Sequence, residues 1–159
     1  MIRHFARQLA VQSLYQSEVG KLSEAEVIQN IEDHVKSMKE EAYGLVDKNI
    51  SLADLNQVEK QFQLDEFYYS LVRGAFKHVE ELDAFIEKNI SGWSLNRINK
   101  VDKAIFRLAA YELLFETEMA AEIIINEALE LTKEFSNADG KATAFNNKVL
   151  DQMKNSLKA

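Results

Sequence analysis

The chain has 159 residues, 47% of them hydrophobic, enough for one domain or two tightly packed helical halves around a real core. It contains no cysteine and no proline: the first excludes disulfides, thiolate metal sites and cysteine nucleophiles, and the second favours long uninterrupted helices. The net charge of −7 argues against nucleic acid only until it is located, because residues 22–66, with eleven acids and four lysines, carry the whole excess. Elsewhere acids and bases balance, and fields are screened within about 10 Å at 0.1 M salt, so a local basic surface remains available. No apolar run approaches the roughly 20 residues of a membrane span. Nothing at the N-terminus reads as a secretory segment, and a cytoplasmic location is expected.

Residues 3–19 form the first expected helix. At about 100° per residue, Ala6, Leu9, Ala10, Ser13, Leu14 and Ser17 share one side, and Arg3, His4, Arg7 and Gln8 the other. Gly20 supplies a stop, and Ser23 with Glu26 makes a capping box for a second helix over 24–41. In that helix Val27, Ile28, Ile31 and Val35 recur at helical spacing. The pattern weakens from Gly44 to Asp54, a loop that leads into a short helix over 52–60. Residues 64–90 carry the strongest periodicity: Leu64, Phe67, Tyr68, Leu71, Ala75, Val79, Leu82 and Ile86 predict one long amphipathic helix, broken at Ser91-Gly92. Residues 98–116 are apolar nearly all round, with Val101, Ala104, Ile105, Leu108, Ala109, Tyr111 and Phe115 on the main face, the mark of a central buried helix. Helices over 123–136 and 143–157 follow, joined by the turn formers Ser136-Asn137-Ala138-Asp139-Gly140. No segment alternates with period two. The expected fold is all-α: a compact bundle of about seven helices in one domain, with halves at about 1–62 and 63–159.

Four features could carry chemistry. Arg3 and Arg7 lie one turn apart with His4 beside them, a pair able to grip phosphates or simply a solvated helix face. Lys100, Lys103 and Arg107 form one basic stripe on an otherwise apolar helix, and such a stripe is expected to reach the surface, toward solvent or a partner. Tyr15 projects toward the arginine side of its helix, where it could stack on a base or anchor a protein. Phe145, in the run Lys141-Ala142-Thr143-Ala144-Phe145, shares a four-residue spacing with Val149, Met153 and Leu157; that spacing favours the core over an exposed stacking surface. Glu112, on the apolar face of its helix, reads as a paired structural carboxylate, for no nucleophile or second carboxylate accompanies it. His4, His34 and His78 are scattered, and no glycine-rich phosphate loop exists. Catalysis, a metal and a cofactor are not expected.

These segments resemble those of the NusB family. The opening Ala6-Arg7-Gln8-Leu9-Ala10-Val11-Gln12-Ser13-Leu14-Tyr15-Gln16 is similar to the family's first helix, and Trp93-Ser94-Leu95-Asn96-Arg97-Ile98 with Val101-Asp102-Lys103-Ala104-Ile105-Phe106-Arg107-Leu108 to its central one. Asn126-Glu127-Ala128-Leu129-Glu130-Leu131 and Phe145-Asn146-Asn147-Lys148-Val149-Leu150 resemble its last two. The resemblance implies two three-helix-type halves. It also implies binding of boxA RNA together with the ribosomal protein NusE, in an antitermination complex with other Nus factors and RNA polymerase. Carried over by position, Arg3, Arg7 and Phe145 correspond to the RNA side, and Tyr15, Asp102 and Arg107 to positions at or near the RNA and NusE surfaces. With the neighbouring basic residues, the expected RNA-binding set is Arg3, His4, Arg7, Lys103, Lys141 and Phe145; the expected partner-binding set is Tyr15, Asp102 and Arg107. The chain departs from the family in carrying fewer arginines at its start, Ala144 where a basic residue is usual, and Asn147-Lys148 in place of asparagine-glycine. A protein-only helical scaffold with little RNA affinity is the competing reading, and a homodimer stays open.

Overall fold

A computed structural model describes residues 1–45, 49–136 and 140–157. The parts of the two expected loops at 46–48 and at Asn137, Ala138 and Asp139 lie outside the described residues. The helices are α1 (Arg3–Gly20), α2 (Glu24–Gly44), α3 (Leu52–Gln61), α4 (Glu66–Lys77), α5 (Val79–Glu87), α6 (Lys100–Phe115), α7 (Ala121–Phe135) and α8 (Gly140–Ser156), with a 3-10 turn at Leu95–Arg97 before α6. No strand occurs among the described residues, and the fold is all-α.

The seven expected helices are all present, but the one expected over 64–90 is interrupted at His78 into α4 and α5. His78 leaves helical geometry, with φ −109° and ψ 19°, while its ring stacks on Phe115 at 4.1 Å and its Nδ1 lies 2.9 Å from Glu81. The apolar spacing runs straight through this one-residue break, since Ala75, Leu82 and Ile86 are all buried. Periodicity therefore cannot report it. At the start of α2 the expected capping box is formed: Glu26 N–H donates to the Ser23 hydroxyl and Ser23 N–H to the Glu26 carboxylate. Gly20 is the last residue of α1, and Lys21 takes the left-handed conformation that closes it.

The chain divides into two compact units, Met1–Val72 and Arg73–Ala159, at a point inside α4. In the first, α1 packs on α2 and α2 on α3. Ala6, Leu9, Ala10, Val27, Ile31, Tyr68 and Leu71 are buried there. Tyr68 satisfies its hydroxyl on Ser13 at 2.7 Å, and Ser13 donates to the Leu9 carbonyl. The serine on the apolar side of α1 is thus a polar partner for a buried tyrosine. On the rim, Glu59 of α3 accepts from Tyr43 at 2.6 Å and from Lys39 at 3.0 Å, both on α2.

In the second unit α6 packs on α5, α7 and α8. Ile105, Phe106, Leu108, Ala109 and Glu112 of α6 are all buried, as a central helix requires. A Cβ at Gly74 would run into the Tyr111 ring, so only glycine lets this stretch of α4 approach that ring.

Two predictions follow from this packing. Gly74→Ala is expected to lower stability in chemical denaturation by about 1–3 kcal/mol, the range for overpacking. Adding Tyr111→Ala should make the pair cost less than the sum of its parts, because the second change removes the atoms that the first one strikes. Additive losses would mean the tyrosine is not what the glycine accommodates. Burial pushes the Tyr68 hydroxyl up to about 12 from its ordinary value near 10, with the Ser13 hydrogen bond pulling the other way. The folded state therefore keeps this proton to higher pH than the unfolded one, so the contribution is full below about pH 10 and declines up to about 12. Stability measured across that window should fall less steeply in Tyr68→Phe than in the unsubstituted protein.

Candidate functional site

The basic corner of α1 is built differently from a row of solvated arginines. Arg3 is exposed, with its guanidinium 4.7 Å from the centroid of the Phe67 ring. Arg7, one turn on, is only 3% exposed and lies over the same ring at 5.0 Å. The expectation that both arginines share an open face is corrected for Arg7: an aromatic on α4 draws its planar cation inward. His4 is half-buried, and Tyr15 is exposed as its position off the apolar side implied. The spacing of α4 puts Phe67 with the core residues, and nothing in one helix's pattern reveals the arginines that a second helix brings to it.

The basic stripe on α6 is also corrected. Lys100 is exposed, but Lys103 is 7% exposed, and Arg107 is half-buried with Nε and Nη2 each donating at 2.8 Å to Asp83 of α5. The open strip of α6 is narrow, running through Lys100, Arg107 and Tyr111. Lys103 projects beside the buried Phe106 and Ala110 and falls off its edge. Arg107 spends its fork on a bidentate carboxylate, the geometry in which a guanidinium is held most firmly. Three basic residues in one sequence stripe thus meet three different environments.

Asp102, expected at a partner surface, is a buried structural hub. It begins with Asn99, the N-cap of α6, whose Oδ1 accepts from the Asp102 N–H at 2.8 Å and whose Nδ2 donates to Asp102 Oδ2 at 2.7 Å. From α8, Asn146 Nδ2 donates to Asp102 Oδ1 at 2.9 Å and also approaches Thr132 Oγ1 of α7 at 3.3 Å. Thr132 in turn donates to the Ala128 carbonyl. Asn146 is fully buried, and its Oδ1 accepts no hydrogen bond among the described residues. Neither Asn146 nor Thr132 stands out in the sequence, since each is one polar residue in an otherwise amphipathic helix.

Phe145 follows from its neighbour. With Asn146 turned inward, Phe145 lies half-buried, edge-on to Phe106 at 6.4 Å and 5.7 Å from Trp93, which is 52% exposed. Asn89, Trp93, Phe145, Lys148 and Gln152 are among the residues around a notch of about 100 Å³. The three aromatic rings therefore run from core to surface, correcting the expectation that Phe145 belongs wholly to the core. Gly92, at φ +80°, makes the turn that delivers Trp93. Lys141 is exposed near the start of α8, one turn before Phe145. Among the described residues no cluster of histidine and acidic side chains has the form of a metal site, and no helix is long and apolar enough to cross a membrane.

Comparison with known proteins places these features in a family. The family model described as NusB family matches residues 4–155. The chain is 34% identical over 157 residues to the transcription antitermination protein NusB of Bacillus subtilis (strain 168), covering 99% of this chain and 98% of that protein. It is 36% identical over 139 residues to the NusB protein of Acetivibrio thermocellus, covering 87% and 80% of the two chains. Among solved structures it is similar to a chain from a crystal structure of the antitermination factors NusB and NusE in complex with double-stranded RNA. The TM-score there is 0.66 at 28% identity, over 98% of this chain and 99% of that one.

The hub makes a quantitative prediction. In a double-mutant cycle of Asp102→Ala and Asn146→Ala, read by denaturation, the coupling should be about 1.5–3 kcal/mol, the range for a hydrogen bond to a charged group. Asp102→Ala should be the costlier single change, because it strands donors on both Asn99 and Asn146. A coupling near zero would show that the carboxylate and the amide do not depend on each other.

Proposed function

The chain belongs to the NusB family, and from that membership we propose that it is an RNA-binding adaptor of the bacterial transcription antitermination complex, binding boxA RNA together with the ribosomal protein NusE. The observation that carries this reading is the likeness, over nearly the whole of both chains, to a structure of NusB and NusE in complex with double-stranded RNA. Arg3 and Lys141 supply exposed cations and Phe145 with Trp93 an aromatic surface, the two elements that single-stranded RNA requires. His4 and the buried Arg7 support the first of these groups. Tyr15 is an exposed aromatic available to a protein partner, and Asp102 and Arg107 act by fixing α6 rather than by touching the partner. Lys103, being buried, is withdrawn from direct contact with phosphate. The setting is the cytoplasm, in company with other Nus factors and RNA polymerase, with one NusB-like helical domain responsible for the whole activity.

The burial of Arg7 and Lys103 and the engagement of Arg107 by Asp83 thin the basic surface. That observation favours the second reading, a helical scaffold with little RNA affinity. Arg3→Ala separates the two, since an exposed residue can be removed without disturbing the core. Titration of labelled boxA RNA across salt concentrations should show weaker binding at every sequence tested. The slope of log affinity against log salt should drop by up to about 0.7, the single-strand value for one phosphate contact. Wild-type affinity with no salt dependence at all would leave the scaffold.

A further inference from the structure

We infer that Phe67 is a positioning residue for nucleic-acid binding: without touching the ligand, its ring holds the Arg3 guanidinium, beside the buried Arg7, where a phosphate meets it. This rests on the reading that the start of α1 contacts RNA, and it assigns to α4 a part in that contact that neither spacing nor charge disclosed.

The geometry is specific. Two guanidiniums from successive turns of α1 lie 4.7 Å and 5.0 Å from the centroid of one ring, near the first turn of α4. An arginine on a bare helix surface samples many rotamers, and gripping a phosphate costs it that freedom. A ring face attracts the planar cation and confines it during folding, so the loss is no longer charged to binding. Arg7 is almost wholly buried and Arg3 is exposed, so Arg3 is the cation of the pair that a phosphate reaches.

The test compares variants that keep apolar bulk with one that keeps the ring. Phe67→Leu should weaken binding of boxA RNA at fixed salt by about two- to tenfold, the range of a cation–π contact between exposed and partly desolvated settings. Phe67→Tyr should bind like the unsubstituted protein. In an Arg3→Ala/Arg7→Ala background Phe67→Leu should change nothing further, which a role in packing alone would not produce. Circular dichroism and NusE binding check that each variant is folded, and Phe67→Met takes the place of Phe67→Leu if that variant is not. Undiminished affinity in Phe67→Leu, failure of tyrosine to restore binding, or an equal loss in the arginine-free background would each overturn the inference while leaving the RNA-binding function standing. Absence of any RNA binding by the unsubstituted chain would remove that function, and this inference with it.

Discussion

A buried carboxylate must find hydrogen-bond donors, and in the second unit the search by Asp102 sets the register of three helices. Its own N-cap residue, Asn99, provides one donor, and Asn146 reaches it from α8 while also approaching Thr132 on α7. The cost of leaving such a group unpaired, on the order of several kcal/mol, is larger than that of most single packing changes. Apolar packing alone tolerates small slides and rotations of one helix on another. The hub does not, because only one rotation of α8 delivers the Asn146 amide to the carboxylate. That rotation decides where the neighbouring residues point. Phe145 is brought against Phe106 and Trp93, and Lys141, one turn earlier, shares its side of α8. Phe145 and Lys141, proposed above to meet RNA, are thus placed by a buried polar contact.

The first unit uses the same economy on a smaller scale. Ser13 occupies a position that apolar packing alone would give to alanine, and there it meets the Tyr68 hydroxyl. One residue before Tyr68, Phe67 turns its ring toward Arg3 and Arg7. Adjacent residues of α4 thereby serve opposite ends of the problem, one closing the core and the other organising charge at its edge. Of the acidic segment 22–66, Asp65 caps the Tyr68 N–H.

What the sequence discloses follows from what periodicity measures. The apolar faces of α1 and α2 are legible because burial repeats with the helix turn, as are Ala104, Ile105, Leu108 and Ala109 of α6, though Val101, Tyr111 and Phe115, expected beside them, are only half-buried. The Ser23–Glu26 cap is legible because its partners lie three residues apart. The break at His78 is not, since the apolar spacing passes through it unchanged. Nor are the fates of Lys103 and Arg7, because a wheel gives direction around one helix and not the width of the strip that its neighbours leave open. Asn146, Thr132 and Asp83 are separated in sequence from the groups they hold by 14 to 44 residues. Single polar residues at such distances carry no local pattern. For the candidate site a sequence shows which residues are cationic or aromatic, but tertiary packing decides which of them face solvent.

Joint binding of RNA and NusE by one adaptor, as proposed above, has a thermodynamic signature. If both engage the chain in one complex and favour each other, the factor by which NusE tightens boxA RNA must equal the factor by which the RNA tightens NusE. Calorimetric titration around the full cycle, with a scrambled RNA of equal length as reference, measures this directly. The account predicts a reciprocal enhancement of about fivefold or more, as expected of a coupling of 1 kcal/mol or above, with boxA and markedly less with the scrambled sequence. NusE binding that is indifferent to RNA, together with equal or negligible affinity for the two RNAs, would contradict it.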